Sequence, residues 1–256
     1  MKIFFAIPLR SKQTATDWDI VCSRLKFTID SIMENSIPQG CSVNIIICGH
    51  EEPDFISGKE YKNINFMKSN KPIPTCSNEF MLDKGRKKKA IAKCIDSKLD
   101  EGEEALFMFF DADDAINRYF IINVVRDFET SSYDDIVFMR GYVVDLSNNR
   151  FGFFNGENKK FYRICGSSFI SKIKGGKSFN YLNRLNNHTK FPLISEELGR
   201  VVKYSDFPGI AYIVNHGAND VSQRNGNASI DNLFKHYSID SKSHEKFIKD
   251  FGINVL

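Results

Sequence analysis

The sequence predicts an α/β fold with a mainly parallel central sheet, flanking helices and a less regular C-terminal half. Two observations lead to this fold class. Apolar runs of strand length alternate with segments whose apolar residues recur at helical spacing, from residue 2 to about residue 128. Beyond about residue 145 the alternation loosens, and glycine-containing stretches interrupt it. We expect all 256 residues to form one domain with two unlike parts, 1–145 and 146–256.

Each predicted element has a local signal. Continuous apolar runs predict buried strands, and apolar residues spaced three or four apart predict amphipathic helices. Residues 148–158 are rich in turn formers and predict a loop. The predicted strands are 2–7, 43–48, 64–67, 105–110, 135–140, 141–145 and 212–215; the predicted helices are 21–35, 84–99 and 118–128.

Composition narrows the class of partner. The 35 basic and 32 acidic residues give a net charge of +3, which is too even to indicate a nucleic-acid-binding protein. The 23 Phe residues indicate a well-filled core. The six cysteines show no C-x-x-C pair and no zinc spacing, and the apolar run at the N-terminus is too short for a signal peptide. We therefore expect free thiols in a cytoplasmic protein without a membrane span.

The most informative motif is Asp111-Ala112-Asp113-Asp114, directly after the apolar run 105–110. These acids leave a buried strand at its carboxyl end, the edge at which open α/β sheets bind ligands. Alternation along an extended chain places Asp111 and Asp113 on the same side. Two such carboxylates suit Mg²⁺ or Mn²⁺, which completes its shell with substrate phosphates and water. The alternative is an Asp-rich turn that only satisfies backbone donors.

Two stretches carry a family resemblance. The segment Asp83-Lys84-Gly85-Arg86-Lys87-Lys88-Lys89-Ala90, followed by the apolar strand and its Asp-x-Asp motif, resembles GT-A-fold glycosyltransferases. The strand with its acids is similar to the large family 2 type. The resemblance covers roughly residues 1–145. It implies a Rossmann-like fold in which residues 1–145 bind a nucleotide-sugar and residues 146–256 form the acceptor side.

The resemblance implies a metal-dependent transfer of sugar from a UDP- or GDP-type nucleoside-diphosphate sugar to a glycan or lipid-linked acceptor, as in cell-surface polysaccharide synthesis. Mn²⁺ or Mg²⁺ would neutralise the pyrophosphate leaving group. Asp113 would bind the metal directly and Asp111 would contact ribose or the metal through water, while Ala112 and Asp114 would lie against the donor. His216 matches a late metal ligand; its alternative is a solvated loop histidine.

Nucleotide contacts are expected from the loops that follow the first two strands. These loops nominate Pro8, Arg10 and Glu51 for the base and ribose, although Arg10 also fits a surface residue and Glu51 a turn acid. Asp83 matches the position of a base-contacting acid in related enzymes. Its alternative role is a helix cap or first-turn acid.

The basic run 86–89 is expected at a helix N-terminus, where backbone amides and the helix dipole favour an anion. Arg86 and Lys87 are the residues expected to meet the pyrophosphate. The alternative is a solvated helix face.

An inverting transfer needs a base, because the acceptor hydroxyl loses its proton in the transition state. Glu196 and Glu197 resemble the acidic pair found downstream of Asp-x-Asp in inverting members, although the family usually ends this pair in Asp. Ser195 followed by two acids also predicts a plain helix start.

The C-terminal segment 231–256 mixes large apolar residues with lysines. One interpretation is an amphipathic helix on the inner face of an anionic membrane, where lipid-linked acceptors occur. The other is a terminal helix that packs on the domain.

Three other classes of protein remain open. A haloacid-dehalogenase-type phosphatase normally carries its nucleophilic Asp after the first strand, but that strand ends here in Pro8. A nucleotidyltransferase would have a Gly-rich loop there, and residues 8–20 contain no Gly. A non-catalytic sugar-binding domain would leave the three acids without a role.

Overall fold

The computed structural model describes residues 1–148, 150–157, 160–214, 234 and 241–252. Its strands are β1 (Lys2–Pro8), β2 (Ser42–Gly49), β3 (Ile64–Lys68), β4 (Glu104–Phe109), β5 (Ala115–Ile116), β6 (Asp135–Phe138), β7 (Gly141–Asp145), β8 (Arg150–Phe154), β9 (Phe169–Lys174), β10 (Val202–Ser205) and β11 (Ile210–Val214). Its α-helices are α1 (Trp18–Met33), α2 (Ser77–Asp96), α3 (Phe120–Glu129), α4 (Ser178–Arg184), α5 (Phe191–Glu197) and α6 (Ser241–Phe251).

Seven strands form the central sheet, in the order β10-β6-β9-β4-β1-β2-β3. Every neighbouring pair is parallel except the two pairs that β9 makes with β4 and β6. The predicted α/β class with a mainly parallel central sheet is therefore confirmed. A second sheet of four strands has the order β5-β11-β7-β8.

The core lies on both faces of the central sheet, because residues along β1 alternate between the two. Ile3, Phe5 and Ile7 pack in one cluster with α1 and α3, whereas Phe4 and Ala6 pack in another with α2, α4 and α5. Both clusters are buried, so the apolar run of β1 has no polar face. This is the pattern expected of a parallel strand covered by helices on both sides.

Helix α2 begins seven residues before the predicted start at residue 84. The carboxylate of Glu79 accepts hydrogen bonds from the backbone N–H of Thr75 at 2.7 Å and from its hydroxyl at 3.1 Å, which fixes the first turn. Asp83 consequently lies inside the helix, and the predictions of a cap or a first-turn acid were wrong. The basic run 86–89 lies in the helix interior as well, so the expected helix N-terminal anion site is not there.

Three strands of the second half, β8, β9 and β10, were missed. The stretch predicted as a loop contains β8, which pairs antiparallel with β7 through aromatic residues such as Phe151 and Phe153. Strand β9 inserts antiparallel into the middle of the central sheet. Its Ser171 is buried at a position where an apolar residue would mark a strand, because the hydroxyl donates to the carboxylate of Asp135.

Helix α5 ends at Glu197, so Ser195 lies in its last turn and the prediction of a helix start there was wrong. Helix α6 packs on the small sheet: Phe247 and Phe251 are buried against Tyr142. Two of the aromatic side chains of the membrane interpretation therefore face the protein. No helix in the described part of the chain is long and apolar enough to cross a membrane.

Candidate functional site

The carboxyl ends of β1, β2 and β4 meet at one edge of the central sheet. The N–H of Leu9 donates to the carbonyl of Cys48 at 2.8 Å, and the N–H of Phe110 donates to that of Ala6 at 2.9 Å. The three strands therefore deliver their following loops side by side. Asp111 begins the loop after β4, as the sequence predicted.

Asp111 is held from three directions. Its N–H donates to the hydroxyl of Ser167 at 2.9 Å, and its Oδ1 lies 2.6 Å from Nζ of Lys84. A Cβ at Gly166 would lie 2.6 Å from Oδ2, so any larger residue there would displace this carboxylate. Burial opposes ionisation, but the charges of Lys84 and Lys88 outweigh it and hold the pKa of Asp111 below its ordinary value. Asp111 is therefore an ionised carboxylate that is paired with the ammonium group of Lys84.

Lys84 and Lys88 lie one helical turn apart, and both act on Asp111. Lys88 is 5% exposed, and its Nζ lies 4.6 Å from the ring centroid of Phe109 and 5.8 Å from that of Phe191. Burial and the charge of Lys84 lower the pKa of Lys88 to about 7. An anion at this edge would hold Lys88 in its charged form. The sequence analysis nominated Arg86 and Lys87 instead of these lysines, because the face of α2 that meets the acidic loop is decided by how the helix docks.

Asp114 faces the interior. It is fully buried, its Oδ2 accepts from the hydroxyl of Ser167 at 2.6 Å, and its Oδ1 accepts from the N–H of Ile213 at 3.3 Å. Burial, then the charges of Asp113 and Asp111, raise the pKa of Asp114 well above its ordinary value. These contacts favour a role in joining β4, the Ser167 loop and β11 over the expected contact with a donor sugar.

Asp113 is half-buried and interacts electrostatically with Arg24 of α1. Arg24 has a buried Nε without a hydrogen-bond partner in the described part of the molecule. Within the same residues, no group of three or more His, Cys, Asp or Glu side chains is arranged to hold a metal ion. Asp111 and Asp113 nevertheless supply the one or two carboxylates that Mg²⁺ or Mn²⁺ needs when phosphates complete its shell. The donor set therefore fits a cation bound together with a nucleotide.

Strand β11 runs past the acidic loop. Besides the bond from Ile213 to Asp114, the phenol of Tyr212 has a pKa well above its ordinary value because of burial and the charges of Asp114, Asp113 and Asp111. His216 follows two residues after the end of β11 and lies outside the described residues. Its role as a metal ligand stays a prediction.

A second buried polar group lies between α2 and the ends of β1 and β2. Nζ of Lys87 lies 2.5 Å from Oδ2 of Asp83 and donates to the carbonyl of Leu9 at 2.8 Å. Lys87 is 2% exposed, so its charge holds α2 against β1 and does not reach the open edge expected for a pyrophosphate.

The other oxygen of Asp83 has no such partner. Within the described residues, Oδ1 of Asp83 and Nδ1 of His50 are buried and make no hydrogen bond. Nε2 of His50 lies 3.8 Å from Oδ1 of Asp83 and 3.0 Å from the carbonyl oxygen of Lys71. Unsatisfied buried polar atoms are costly, so these two atoms are candidates to bind an ordered water or a ligand group.

Of the remaining predicted nucleotide contacts, Pro8, Arg10 and Glu51 lie at or just after the ends of β1 and β2, and Arg86 lies on α2. Pro8 is buried at the end of β1, and the guanidinium of Arg10 lies 5.3 Å from the ring centroid of Phe80. Glu51 accepts from the N–H of Lys12 at 2.8 Å, so its carboxylate already holds the loop after β1. Arg86 is exposed.

Glu196 and Glu197 are exposed at the end of α5. The hydroxyl of Tyr204 donates to Oε1 of Glu196 at 2.6 Å, and Arg184 lies 2.7 Å from Oε2 of Glu197. Both carboxylates therefore have partners at the surface.

His188 was missed by the sequence analysis. It begins the 3-10 turn His188–Lys190 between α4 and α5, and it interacts electrostatically with Asp111, Lys84 and Lys88. The sequence holds no signal for this placement, since a histidine in an irregular stretch has no periodic pattern to orient it.

Comparison with known proteins supports the fold. No family model and no curated protein matches the sequence. Among solved structures, S. aureus TarS aligns with a TM-score of 0.51 at 12% identity, over 84% of this chain and 37% of TarS. The structure of S. aureus TarS 1-349 in complex with UDP-GlcNAc aligns with a TM-score of 0.51 at 13% identity, over 87% of this chain and 61% of that one. The chain thus spans about 37% and 61% of the two TarS chains it matches.

At this level of identity the likeness shows only the fold. The chemistry of the site has to be argued from the residues of this chain. The order of the central strands and the match to TarS agree on one architecture. The chain has the GT-A glycosyltransferase fold.

Proposed function

We propose that this protein is a metal-dependent glycosyltransferase that moves a sugar from a UDP-type nucleoside-diphosphate sugar to a glycan or lipid-linked acceptor, in the synthesis of a cell-surface polysaccharide. One observation carries the proposal: the edge at which β1, β2 and β4 end combines an acidic loop with two lysines of α2. Carboxylates for a divalent cation and ammonium groups for phosphate are the two requirements of a pyrophosphate site.

The lysines supply positive charge where the leaving group would develop negative charge. Lys84 is half-buried and Lys88 almost fully buried, so solvent screens their charges less than those of surface lysines. A pyrophosphate that contacts both would also draw Lys84 away from Asp111, and this would free a carboxylate oxygen. This chain therefore offers Lys84 and Lys88 in place of the expected Arg86 and Lys87.

Oδ1 of Asp83, which accepts no hydrogen bond within the described residues, supports a uridine nucleotide as the donor. Because Oδ2 is taken by Lys87, only Oδ1 is left to accept a hydrogen bond. Uracil presents one N–H donor on its pairing edge, whereas guanine presents an N–H and an adjacent NH₂. A single free acceptor fits uracil, and Nδ1 of His50 lies in the same cluster as a further group to pair.

The metal would be held by Asp113, with Asp111 contacting it through water or binding the ribose; His216 is the predicted further ligand. Bound there, Mn²⁺ or Mg²⁺ supplies Lewis-acid stabilisation of the diphosphate that leaves. Ser167 and Gly166 keep the backbone and carboxylate of Asp111 in place, so the acids are oriented before any ligand arrives.

The test is a thermal-shift experiment with UDP, GDP and UDP-GlcNAc, each in Mn²⁺ and in EDTA. Binding to the folded state alone stabilises by about 2.7 kcal/mol at a hundredfold excess over Kd, which corresponds to roughly 5–10 °C for a chain of this size. We expect UDP and UDP-GlcNAc to give such a shift in Mn²⁺, GDP to give less, and all three to give little in EDTA.

Two results would count against the proposal in different ways. Equal shifts in Mn²⁺ and in EDTA would contradict the metal dependence but would still support nucleotide binding. If none of the nucleotides gives a shift, the proposal of a donor site is wrong.

A further inference from the structure

Three polar side chains interrupt the buried apolar face of α1. Thr28 and Ser31 lie within the helix and Asn35 lies two residues after its end, and all three are buried beside apolar residues such as Ile29 and Ile32. Their spacings of three and four residues place them in one row. A buried polar group is costly unless it is hydrogen-bonded, so the partners of these three side chains show what the row does.

Ser31 and Asn35 join α1 to the segment that follows the acidic loop. The hydroxyl of Ser31 accepts from the N–H of Ile116 at 3.3 Å, and Oδ1 of Asn35 accepts from the N–H of Ile121 at 3.1 Å. Each side chain also donates to its own segment, to the carbonyls of Thr28 and Ser31 respectively, both at 2.8 Å. These bonds connect α1 with β5 and with the first turn of α3.

Thr28 makes a different contact. Its hydroxyl donates to the carbonyl of Asp114 at 2.8 Å, between residues that are 86 positions apart in the chain. A threonine inside a helix commonly donates to the carbonyl four residues earlier, which here is that of Arg24. The hydroxyl of Thr28 instead bonds the last residue of the acidic loop.

The acidic loop is thereby anchored at both ends. The hydroxyl of Ser167 accepts from the N–H of Asp111 at 2.9 Å, and Thr28 holds the carbonyl of Asp114. The N–H of Asp114 also donates to the carbonyl of Asp111 at 3.3 Å, which closes the turn. Asp113 lies between the two anchors, so the direction of its carboxylate depends on a turn that Ser167 and Thr28 fix from opposite ends.

We propose that Thr28 is a positioning residue for the metal site, an inference that rests on the proposed function. By holding the carbonyl of Asp114, its hydroxyl keeps Asp113 in the orientation that binds a divalent cation together with the diphosphate of the donor. Thr28 acts through the backbone of the loop. Groups that orient metal ligands in this way change metal affinity by about 10- to 100-fold when they are replaced.

Thr28→Val tests the inference, because valine is β-branched like threonine but has no hydroxyl. UDP is the probe. Its binding is followed by calorimetry over a series of Mn²⁺ concentrations, at a temperature at which circular dichroism shows each variant to be folded. The readout is the Mn²⁺ concentration at which UDP binding is half-maximal. We expect this concentration to rise about 10- to 100-fold in Thr28→Val. Thr28→Ser keeps the hydroxyl and should behave like the wild type.

Two control variants separate positioning from stability. Thr28→Val should also lower the Tm, since the buried carbonyl of Asp114 loses its partner. Ile29→Val removes one methyl group from a neighbouring buried residue of α1, so it should lower the Tm and leave the Mn²⁺ dependence unchanged. Thr130→Val removes a hydroxyl that donates to a backbone carbonyl at 2.8 Å at an exposed site, and it should also leave the Mn²⁺ dependence unchanged.

A wild-type Mn²⁺ dependence in folded Thr28→Val would overturn the inference, and so would equal changes in Thr28→Val and Ile29→Val. If Thr28→Val does not fold, Thr28→Cys takes its place: a thiol is a weak donor, so this variant should need more Mn²⁺ than Thr28→Ser, and equal requirements would contradict the inference. A wild-type protein whose UDP binding does not respond to Mn²⁺ would overturn the metal-dependent function itself, and the wild-type titration separates that outcome from the others.

Discussion

Asp111 and Asp113 are two residues apart and have different surroundings. Nζ of Lys84 lies 2.6 Å from Asp111, and Gly166 packs against its carboxylate. Asp113 is half-buried near Arg24. The charge of Asp113 is also one of the causes that raise the pKa of Asp114. The charges of Asp113 and Asp111 therefore both oppose ionisation of Asp114, and that of Asp113 does so more strongly.

Asp113→Asn should separate metal binding from fold support. The substitution keeps size and hydrogen-bonding capacity but removes the charge that would hold a cation. Relief of repulsion should leave the metal-free protein as stable as the wild type or slightly more stable. The Mn²⁺-dependent thermal shift with UDP should disappear, because a neutral amide is a far poorer ligand for a hard divalent ion.

Asp206→Asn is the matched control, since it removes the same charge at an acid whose side chain is 68% exposed. Its UDP shift should equal that of the wild type. If Asp113→Asn unfolds the protein while donor binding per folded molecule is unchanged, the acid is structural.

At the scale of elements, α2 uses two neighbouring faces for different purposes. Asp83 and Lys87 form one i, i+4 pair, buried against the end of β1; Lys84 and Lys88 form the next, directed to the acidic loop. The two pairs are offset by one residue along the helix. The first is a structural ion pair, and the second faces the proposed pyrophosphate site. The start of the helix at Ser77 places these pairs well inside it, where the backbone is fully hydrogen-bonded and the side chains are held firmly.

Lys88→Met should stabilise the protein at pH 7 and weaken donor binding. Methionine fills the space between Phe109 and Phe191 without the cost of burying an ammonium group. Loss of a charge-assisted contact to phosphate should raise the Kd for UDP about 10- to 100-fold. Lys89→Met, an exposed neighbour, should change neither quantity.

The stabilisation should depend on pH in a defined direction. The pKa of Lys88 is about 7 in the folded state against an ordinary value of 10.5, so above pH 7 the unfolded chain binds the proton that the folded protein lacks. Wild-type stability therefore gains from this group as pH rises from 7. The advantage of Lys88→Met should shrink between pH 7 and 9 in chemical denaturation. An advantage that is constant with pH would show that Lys88 is charged in the folded state.

The sequence predicted the elements whose signal is local. Strands β1, β2 and β3 were predicted to within one residue at each end. For β1 and β2 the signal is an apolar run, as expected of parallel strands covered on both faces. The start of α2 was not predicted, since a contact between Glu79 and Thr75 decides it and no apolar periodicity marks it. Strand β9 was missed because its buried Ser171 is satisfied by Asp135, a partner 36 residues away.

The residues of the candidate site also differ in whether a local sequence signal marks them. Asp111 follows a buried strand, so its place at the sheet edge could be predicted from the run of residues before it. Lys84, Lys88 and His188 reach the same edge through the docking of a helix and of a short turn. Those positions depend on tertiary packing, which a single sequence does not encode in any periodic pattern.

At the scale of the whole molecule, one buried polar cluster joins the acceptor-side elements to the central sheet. Arg200 donates from Nε to Oδ2 of Asp135 at 2.7 Å, and its guanidinium carbon lies 4.1 Å from the ring centroid of Tyr181. The hydroxyl of Tyr181 donates to Asp135 at 3.0 Å and lies 3.2 Å from that of Ser195. The cluster thereby links β6, α4 and α5, the helices that flank the turn carrying His188.

Arg200→Met should destabilise the protein by about 3–5 kcal/mol, because it leaves the fully buried carboxylate of Asp135 without its cation. The free energy of unfolding from urea denaturation measures the loss. Lys203→Met is the matched control: Lys203 lies 2.7 Å from Asp127, but both side chains are partly exposed, and such pairs contribute about 1 kcal/mol or less. The double variant Arg200→Met with Asp135→Asn should regain part of the stability, since no uncompensated charge stays buried. Equal losses for Arg200→Met and Lys203→Met would show that the Arg200 cluster contributes no more than a surface pair, and the acceptor-side helices would then be held by apolar packing alone.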